Sequence, residues 1–212
     1  MKKLISLISS SILLTIVAAK ADYGVGITGA IHYLDASGTE IARNSGERNN
    51  GSHDETVVIP ELFIETFLDN GGTLGLSFIP TQEVGSKSRS DTNTEGDTGT
   101  YKAEAELENV FQIYTDIPAG SLVGRDAYVK LGVQHVTLAT LESLNSGSSY
   151  PDEDLFGFTV GYGIKGDLQG NMYYKGELTY TNFEDYEGKS FGNTVDAELE
   201  DYAAKFSIGY KF

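Results

Sequence analysis

Strict alternation of apolar and polar residues, repeated over long segments, is the feature that most limits what this chain can fold into. The clearest case is residues 156–164, where Phe156, Phe158 and Val160 alternate with smaller residues. A period of two indicates β-strands with chemically different faces rather than helices. Such segments recur about eight times between residues 22 and 212. The sequence therefore predicts an all-β protein built from about eight amphipathic strands.

The first 21 residues differ from this pattern and have the layout of an export signal. Lys2 and Lys3 precede a mostly apolar stretch, and Ala19-Lys20-Ala21 offers small residues at a cleavage site. That order is typical of a secretory signal peptide. A retained membrane anchor is the alternative, but it requires nearer 20 apolar residues. We predict a cleaved signal peptide at residues 1–21 and one barrel domain at residues 22–212.

Soluble β-sandwiches also alternate, so segment length and connection length decide between a sandwich and a membrane barrel. The segments exceed the five or six residues usual for strands and suit the 9 to 11 residues of a tilted membrane strand. The connections are short at 69–72, 116–120 and 166–170, and long and polar at 35–55, 85–101, 142–154 and 184–197. This alternation in loop length is typical of outer-membrane barrels. We predict an eight-stranded antiparallel up-and-down transmembrane β-barrel with both termini in the periplasm.

The last residues of the chain add a resemblance to a known class. Tyr202, Phe206, Tyr210 and Phe212 belong to an alternating segment that ends in Phe. This segment resembles the assembly signal of bacterial outer-membrane β-barrels, with Tyr210 and Phe212 at its end. Together with the export signal, it makes the chain resemble the small eight-stranded barrels that include the OmpA transmembrane domain, OmpX and OmpW. The resemblance implies residence in the bacterial outer membrane, contact with its lipid and lipopolysaccharide, and handling by periplasmic chaperones and the outer-membrane assembly machinery.

Charged residues occupy the polar faces of the strands, which a barrel in lipid turns inward. Alternation predicts a nearly balanced inward set, namely Glu61, Glu65, Lys102, Glu104, Glu106, Glu108, Lys130, Lys165, Lys175, Glu177, Asp201, Lys205 and Lys211. Confined charges must pair, because an isolated buried charge is costly. We expect a self-neutralising plug, since an eight-stranded barrel is just wide enough for side chains to fill. The alternative is a cation path lined by Glu104, Glu106 and Glu108.

The net charge is strongly negative and falls mainly in the long connections. The chain has 31 Asp and Glu against 15 Lys and Arg, a formal charge of −16, which argues against nucleic acid as a partner. A hydrated acidic crown of loops is the simpler interpretation. Carboxylates also suit hard cations, so Asp152, Glu153 and Asp154 are weak candidates for binding divalent cations. The chain has no Cys, which excludes disulfides and thiolate ligands, and we expect no cofactor.

Catalytic candidates are few. His135, two residues before Thr137, loosely resembles the His-x-Ser pair of barrel lipid A deacylases, but Thr replaces Ser and Ala139 stands where that family has Gly. We expect His32 to be a hydrogen-bonding residue of the lumen, and nothing near His53 marks a nucleophile. Nucleophilic catalysis needs a positioned base. The sequence therefore favours a non-enzymatic barrel with a structural or surface-interaction role, with a narrow porin for small solutes or cations as the alternative.

Overall fold

The computed structural model describes residues 22–41, 46, 48–92, 98–143, 151–190 and 193–212. The predicted signal peptide lies outside these residues. The strands are β1 (Tyr23–Ile41), β2 (Arg48–Phe67), β3 (Thr73–Ile79), β4 (Gln82–Thr92), β5 (Thr98–Leu122), β6 (Arg125–Ser143), β7 (Glu153–Asp167), β8 (Met172–Phe183), β9 (Tyr186–Ser190) and β10 (Asn193–Lys211). Within the described ranges, no helix has the length and apolar character needed to cross a membrane.

Antiparallel pairing closes these strands into a ring of eight. The order is β1-β2-β3-β5-β6-β7-β8-β10, and β10 pairs back to β1. β4 continues the line of β3 along β5, and β9 continues that of β8 along β10. At the end that holds both termini, the Phe212 backbone N–H donates to the Tyr23 carbonyl at 2.8 Å. The predicted eight-stranded antiparallel barrel is confirmed, with two of its eight wall positions broken into two strands each.

One of the three predicted short connections is wrong. The turns near 69–72 and 166–170 lie where the sequence places them. Residues 116–120 instead belong to β5, which continues to Leu122 before a turn at Val123 and Gly124. The segment resembles a turn because it contains Pro118 and Gly120, but a shift in register between Pro118 and Ser121 accommodates it within the strand.

Much of the predicted long loops is also strand rather than loop. β1 extends to Ile41, β2 begins at Arg48, and β4 covers residues 82–92. β9 and the start of β10 occupy most of the connection predicted at 184–197. These extensions lengthen the barrel at the end away from the termini. We call this part the distal half and the part that carries the termini the terminal half.

Large apolar side chains cover the outer surface of the terminal half. Leu178 is 67% exposed and Phe158 is 55% exposed. The other exposed members include Val25, Ile27, Ile31, Val58, Leu62, Ile64, Phe111, Ile113, Val133, Phe156, Phe206 and Ile208. A closed barrel satisfies all its backbone hydrogen bonds internally, which allows such a surface to face lipid. This apolar belt is therefore the membrane-facing surface.

The interior changes character at the distal edge of the belt. Its inward residues there form an apolar cluster, the apolar plug, which consists of Leu34, Ile59, Ile79, Val84, Leu107, Val110, Val136, Leu155, Phe183 and Tyr186. At the same level the outward positions carry carboxylates, including Asp35, Asp54, Asp154 and Glu200. The distal half is thus apolar inside and polar outside, like a water-soluble protein, whereas the belt region has the opposite arrangement.

A β-bulge in β5 reverses the predicted alternation. The register with β6 shifts between Glu108 and Phe111, and Asn109 lies between them with a φ of 50°. On the distal side of this bulge Leu107 packs inside the apolar plug. On the terminal side Phe111 is 54% exposed on the belt. The single extra residue therefore reverses which face of β5 points inward on the distal side of the bulge.

The predicted inward placement of Glu104, Glu106 and Glu108 is consequently wrong. These residues alternate with Leu107, which faces inward, and they lie half-exposed on the outer face of the distal half. They do not line the lumen, so the cation path predicted from them does not form. Lys102 lies in the same strand, but its side chain is outside the described residues.

Candidate functional site

The charged residues inside the barrel form one buried group, which we call the lumen network. It draws on six strands, β1, β2, β5, β6, β8 and β10. Its members are His32, Glu61, Glu65, Asp116, Lys130, Lys175, Glu177, Asp201 and Lys205, each at most 9% exposed. These are inward positions of the belt region, where alternation brings polar side chains together. Carboxylates outnumber lysines in this group.

Lys175 lies at the centre of the terminal part of the lumen network. Its Nζ contacts Asp116 Oδ2 at 2.6 Å and Glu65 Oε2 at 2.9 Å. The neighbouring Lys130 Nζ contacts Glu177 Oε1 at 2.8 Å and lies 3.5 Å from Asp116 Oδ1. Buried charges are tolerated only when they are paired and hydrogen-bonded. Each lysine here contacts at least two carboxylates, which fixes its side chain across the lumen.

A second set of contacts continues the lumen network towards the distal half. Lys205 Nζ donates to Glu61 Oε1 at 2.5 Å. His32 Nδ1 lies 2.9 and 3.0 Å from the two Asp201 carboxylate oxygens, and its Nε2 lies 3.6 Å from Glu61 Oε1. His32 thus connects two carboxylates, which agrees with the hydrogen-bonding role that the sequence predicts for it.

Two tyrosines fill the space between these charges. The Tyr114 hydroxyl donates to Glu65 Oε2 at 2.8 Å, and the Tyr128 hydroxyl donates to Glu177 Oε1 at 2.7 Å. Lys130 Nζ also lies 3.6 Å from the centroid of the Tyr114 ring, which is a cation–π contact. The rings therefore occupy the cross-section of the lumen while they complete the hydrogen bonding of the carboxylates.

Glycines on the neighbouring strands make room for these rings. Gly75 is the cross-strand partner of Tyr114, and Gly163 is the partner of Tyr128. A Cβ atom at either glycine would overlap the ring of its partner. Glycine is suited to such close approach because it has no side chain. The frequent glycines on the inward faces are thus needed to pack the aromatic rings flat against the wall.

The lumen is wide at the terminal end and filled above it. A vestibule of about 600 Å³ opens at that end, with Phe67, Lys165, Tyr173 and Lys211 among its lining residues. Within the lumen network the cavity is only about 10 Å³, which is room for about one water molecule. The apolar plug follows on the distal side. The interior therefore has two successive filled layers, one ionic and one apolar.

Six of the predicted lumen residues belong to the lumen network, namely Glu61, Glu65, Lys130, Lys175, Glu177 and Lys205. Lys165 and Lys211 lie instead at the vestibule, where Lys165 donates to the Gly71 carbonyl at 2.7 Å and Lys211 pairs with Asp22 at 2.9 Å. Asp116 was missed, because it lies in the segment predicted as a turn. Its inward position continues the alternation of Phe111 and Ile113, which face outward on the same strand.

The predicted cation site and the candidate catalytic pair do not assemble. Glu153 accepts the Glu187 N–H at 3.3 Å, and Asp154 accepts the Thr137 hydroxyl at 2.8 Å. The described residues contain no group of three or more His, Asp or Glu that could hold a metal ion, so Asp152, Glu153 and Asp154 do not converge. His135 Nε2 lies 3.7 Å from Asp154, and the Thr137 hydroxyl bonds that carboxylate rather than the imidazole. A nucleophile–base pair is not formed.

Comparison with solved structures identifies the fold. The outer membrane protein AlkL, determined by solid-state NMR in lipid bilayers, is 13% identical, with 91% of this chain and 90% of that chain covered and a TM-score of 0.54. Neisserial surface protein A is 12% identical over 87% and 97% of the two chains, with a TM-score of 0.42. No protein-family model and no curated protein matches the sequence. The chain is therefore an eight-stranded antiparallel barrel of the outer-membrane type.

Proposed function

We propose that this protein is a non-enzymatic barrel of the bacterial outer membrane, with a closed lumen and an acidic distal half outside the cell. Its role is structural or one of surface interaction. The single observation that carries this proposal is the double filling of the interior. The lumen network fills the belt region, and the apolar plug fills the distal half. An ion would have to break buried charge pairs and then cross an apolar layer, both of which are costly.

The outer surface supports the same role. Lipid and lipopolysaccharide contact the belt, and the carboxylates of the distal half face outward from its edge. The Tyr180 and Tyr202 hydroxyls donate to Glu200 at 2.8 and 3.0 Å, as expected for aromatic residues at a membrane–water interface. Residues 1–21 act as the export signal, and Tyr210 and Phe212 present the last strand to the assembly machinery. Thr137 and His135 lack the contact that a nucleophile and its base require, which supports a non-enzymatic role.

A narrow porin for small cations is the second candidate. The vestibule provides a wet entrance, and the excess of carboxylates in the lumen network would favour cations. For conduction, Lys175 and the two tyrosine rings would have to move aside together. We rank this candidate second because each of these groups is held by at least one short hydrogen bond.

Planar-bilayer conductance of the refolded protein tests the proposal. We expect no steady current, because both filled layers are intact. Cation-selective steps that diminish in Glu177→Gln would contradict the proposal and favour the porin. Glu106→Gln is the matched control, since Glu106 lies on the outer face and its neutralisation leaves the lumen unchanged. Folding of each variant is checked by heat-modifiable migration on gels.

A further inference from the structure

Arg125 lies on the outer face of the terminal half, unlike the other cations described there. It shares its face of β6 with Val129 and Val133, which are exposed on the belt. The other described cations of the terminal half lie in the lumen network or at the vestibule, and these are Lys130, Lys165, Lys175, Lys205 and Lys211. Arg125 is exposed, and no carboxylate of the described residues forms an ion pair with it. An uncompensated positive charge therefore lies on the outside of the barrel wall.

A glycine in β7 lets Arg125 reach an aromatic ring two strands away. Asp126 pairs with Lys165, so the same register places Arg125 beside Gly166. Gly166 in turn pairs with Tyr174 of β8. A Cβ atom at Gly166 would lie 2.8 Å from the Tyr174 hydroxyl oxygen, so the Tyr174 side chain lies across β7 in the space that this glycine leaves open. The Arg125 guanidinium carbon is 5.8 Å from the centroid of the Tyr174 ring, which is within the range of a cation–π contact.

The side chains of Arg125 and Tyr174 together offer several hydrogen-bond donors on this part of the outer surface. The guanidinium group carries five N–H donors in a planar fork, and the phenol carries one O–H. Within the described ranges of the chain, neither side chain donates to an acceptor of the protein. A guanidinium group beside a free hydroxyl suits phosphate, which accepts several hydrogen bonds and carries negative charge.

Apolar residues next to Arg125 and Tyr174 place both side chains at the edge of the membrane. Val123, in the turn just before Arg125, is 89% exposed, and the adjacent Leu122 is also exposed. Met172, two residues before Tyr174, is exposed on the same face of β8. The apolar belt therefore continues to the terminal ends of these strands. At such an edge, tyrosine rings and the charged ends of long side chains lie at the level of the lipid headgroups.

A notch in the belt adjoins Tyr174 on its distal side. It lies over Gly176, whose cross-strand partners on the outer face are Phe206 and Ile164. A Cβ atom at Gly176 would meet only Ile164 Cγ1, at 3.9 Å. The rings of Tyr174 and Phe206 are stacked, with their centroids 6.4 Å apart, and Leu178 is exposed at the distal end of the notch. The notch is thus an open apolar depression that begins beside the Tyr174 ring and leads towards the middle of the belt.

We infer that Arg125 and Tyr174 bind the phosphate group of an anionic glycerophospholipid in the periplasmic leaflet, and that one acyl chain of this lipid packs in the notch over Gly176. Charge complementarity favours an anionic lipid over a zwitterionic one. The neighbouring carboxylates Asp126 and Asp167 line the vestibule, on the inner side of the wall, so no negative charge on the outer face offsets Arg125 or attracts the amine of a zwitterionic headgroup. The inference rests on the proposed membrane placement and adds a lipid-binding site to it.

Single tryptophan reporters test this inference, because the chain contains no Trp. Ile208→Trp places a reporter beside the site, since Ile208 is the exposed cross-strand partner of Tyr174. Leu76→Trp places a reporter on the belt at β3, on the opposite side of the ring from β8. The full barrel is reconstituted in vesicles of phosphatidylcholine and phosphatidylglycerol, and the acyl chains of one lipid or the other are brominated. The ratio of Trp quenching by the two brominated lipids measures the local preference for the anionic lipid.

We expect a preference of about fivefold for phosphatidylglycerol at Ile208→Trp, the size expected for one arginine near anionic lipid, and no preference at Leu76→Trp. Adding Arg125→Gln to the Ile208→Trp protein should abolish the preference, whereas Lys211→Gln, which removes a vestibule cation, should leave it unchanged. Gly176→Leu should also reduce the preference because its side chain fills the notch. Gly29→Leu is the matched control, since Gly29 meets open space on the other side of Phe206.

The inference would be overturned by equal preferences at the two reporters, by a preference that survives Arg125→Gln, or by one that Gly176→Leu leaves unchanged. Folding of each variant is checked by heat-modifiable migration on gels. Absence of quenching by either lipid at Leu76→Trp would instead refute the membrane placement, and with it both proposals. Quenching at Leu76→Trp without any preference at Ile208→Trp would refute the lipid site alone.

Discussion

Removal of the Lys175 ammonium is the sharpest test of the lumen network. Lys175→Met keeps the length and much of the volume of the side chain but deletes its charge. The Nζ atom contacts Asp116 and Glu65, whose residues are 1% and 2% exposed. Neither carboxylate can turn to water after the substitution. Removing one partner of a buried ion pair costs about 3–5 kcal/mol, so we expect a loss of that size in the free energy of unfolding.

Lys211→Met is the matched control. The Lys211 side chain is 42% exposed and pairs with Asp22, whose side chain is 59% exposed. Surface pairs of this kind contribute about 0–1 kcal/mol. The assay is equilibrium urea unfolding in detergent micelles, followed by the gel shift between folded and unfolded forms. Adding Glu65→Gln to Lys175→Met should recover part of the loss, because it removes one of the uncompensated charges. The reasoning is refuted if Lys175→Met costs no more than Lys211→Met.

Three further predictions concern packing and orientation, and each is read from the same unfolding assay. Gly163→Ala should cost about 1–3 kcal/mol because its Cβ would overlap an aromatic ring. Gly176→Ala should be nearly neutral, because its Cβ would make only an ordinary van der Waals contact with Ile164 Cγ1 at 3.9 Å; equal costs would contradict the packing. Leu107→Ala should cost about 2–5 kcal/mol because it truncates a buried side chain, whereas Glu106→Ala should cost little. A larger cost for Glu106→Ala than for Leu107→Ala would mean that the faces of β5 are not reversed. Phe158→Arg should cost about 2–4 kcal/mol on the lipid face, with Phe158→Leu as its control; a cost equal to that of the control would place this residue outside lipid.

The architecture could be predicted from the sequence because the belt imposes a strict rule on every strand. Outward residues must be apolar and inward residues polar, so a period of two appears wherever a strand crosses lipid. The segment around Phe158 shows this most clearly. The closing contact of Phe212 with Tyr23 follows from the last strand pairing with the first, as the predicted up-and-down order requires.

The reversal in β5 could not be predicted, because its sequence alternates equally well on both sides of the bulge. Ala105 and Leu107 alternate with Glu106 and Glu108, as a membrane strand would show. Their true arrangement is that of a soluble strand, with the apolar residues inside. Alternation identifies the two faces of a strand but does not say which face meets lipid. The single unpaired residue in the bulge therefore reverses the two faces of β5 without interrupting the alternation of its sequence.

The strands of the distal half could not be predicted either, because their local sequence favours turns. Residues 35–55 and 85–101 are rich in Gly, Ser, Asn and Asp, which favour turns. The described parts of these segments, residues 35–41, 48–55, 85–92 and 98–101, are extended because they continue the ladders begun in the belt, such as Ser37↔Ser52 and Gly38↔Gly51. Pairing with an already ordered neighbour outweighs the weak local preference.

At the distal edge of the belt the outer surface changes from apolar to polar, and this change also sets the depth of the barrel in the membrane. Asp35 pairs across strands with both Asp54 and Glu200, and these carboxylates lie directly beyond the last apolar residues. A shift of the barrel by one pleat repeat towards the centre of the bilayer would move these carboxylates into hydrocarbon. A shift in the opposite direction would expose the apolar belt to water. The boundary between these carboxylates and the belt therefore fixes the depth of the barrel in the membrane. A bilayer thinner or thicker than the belt must itself deform to match that boundary.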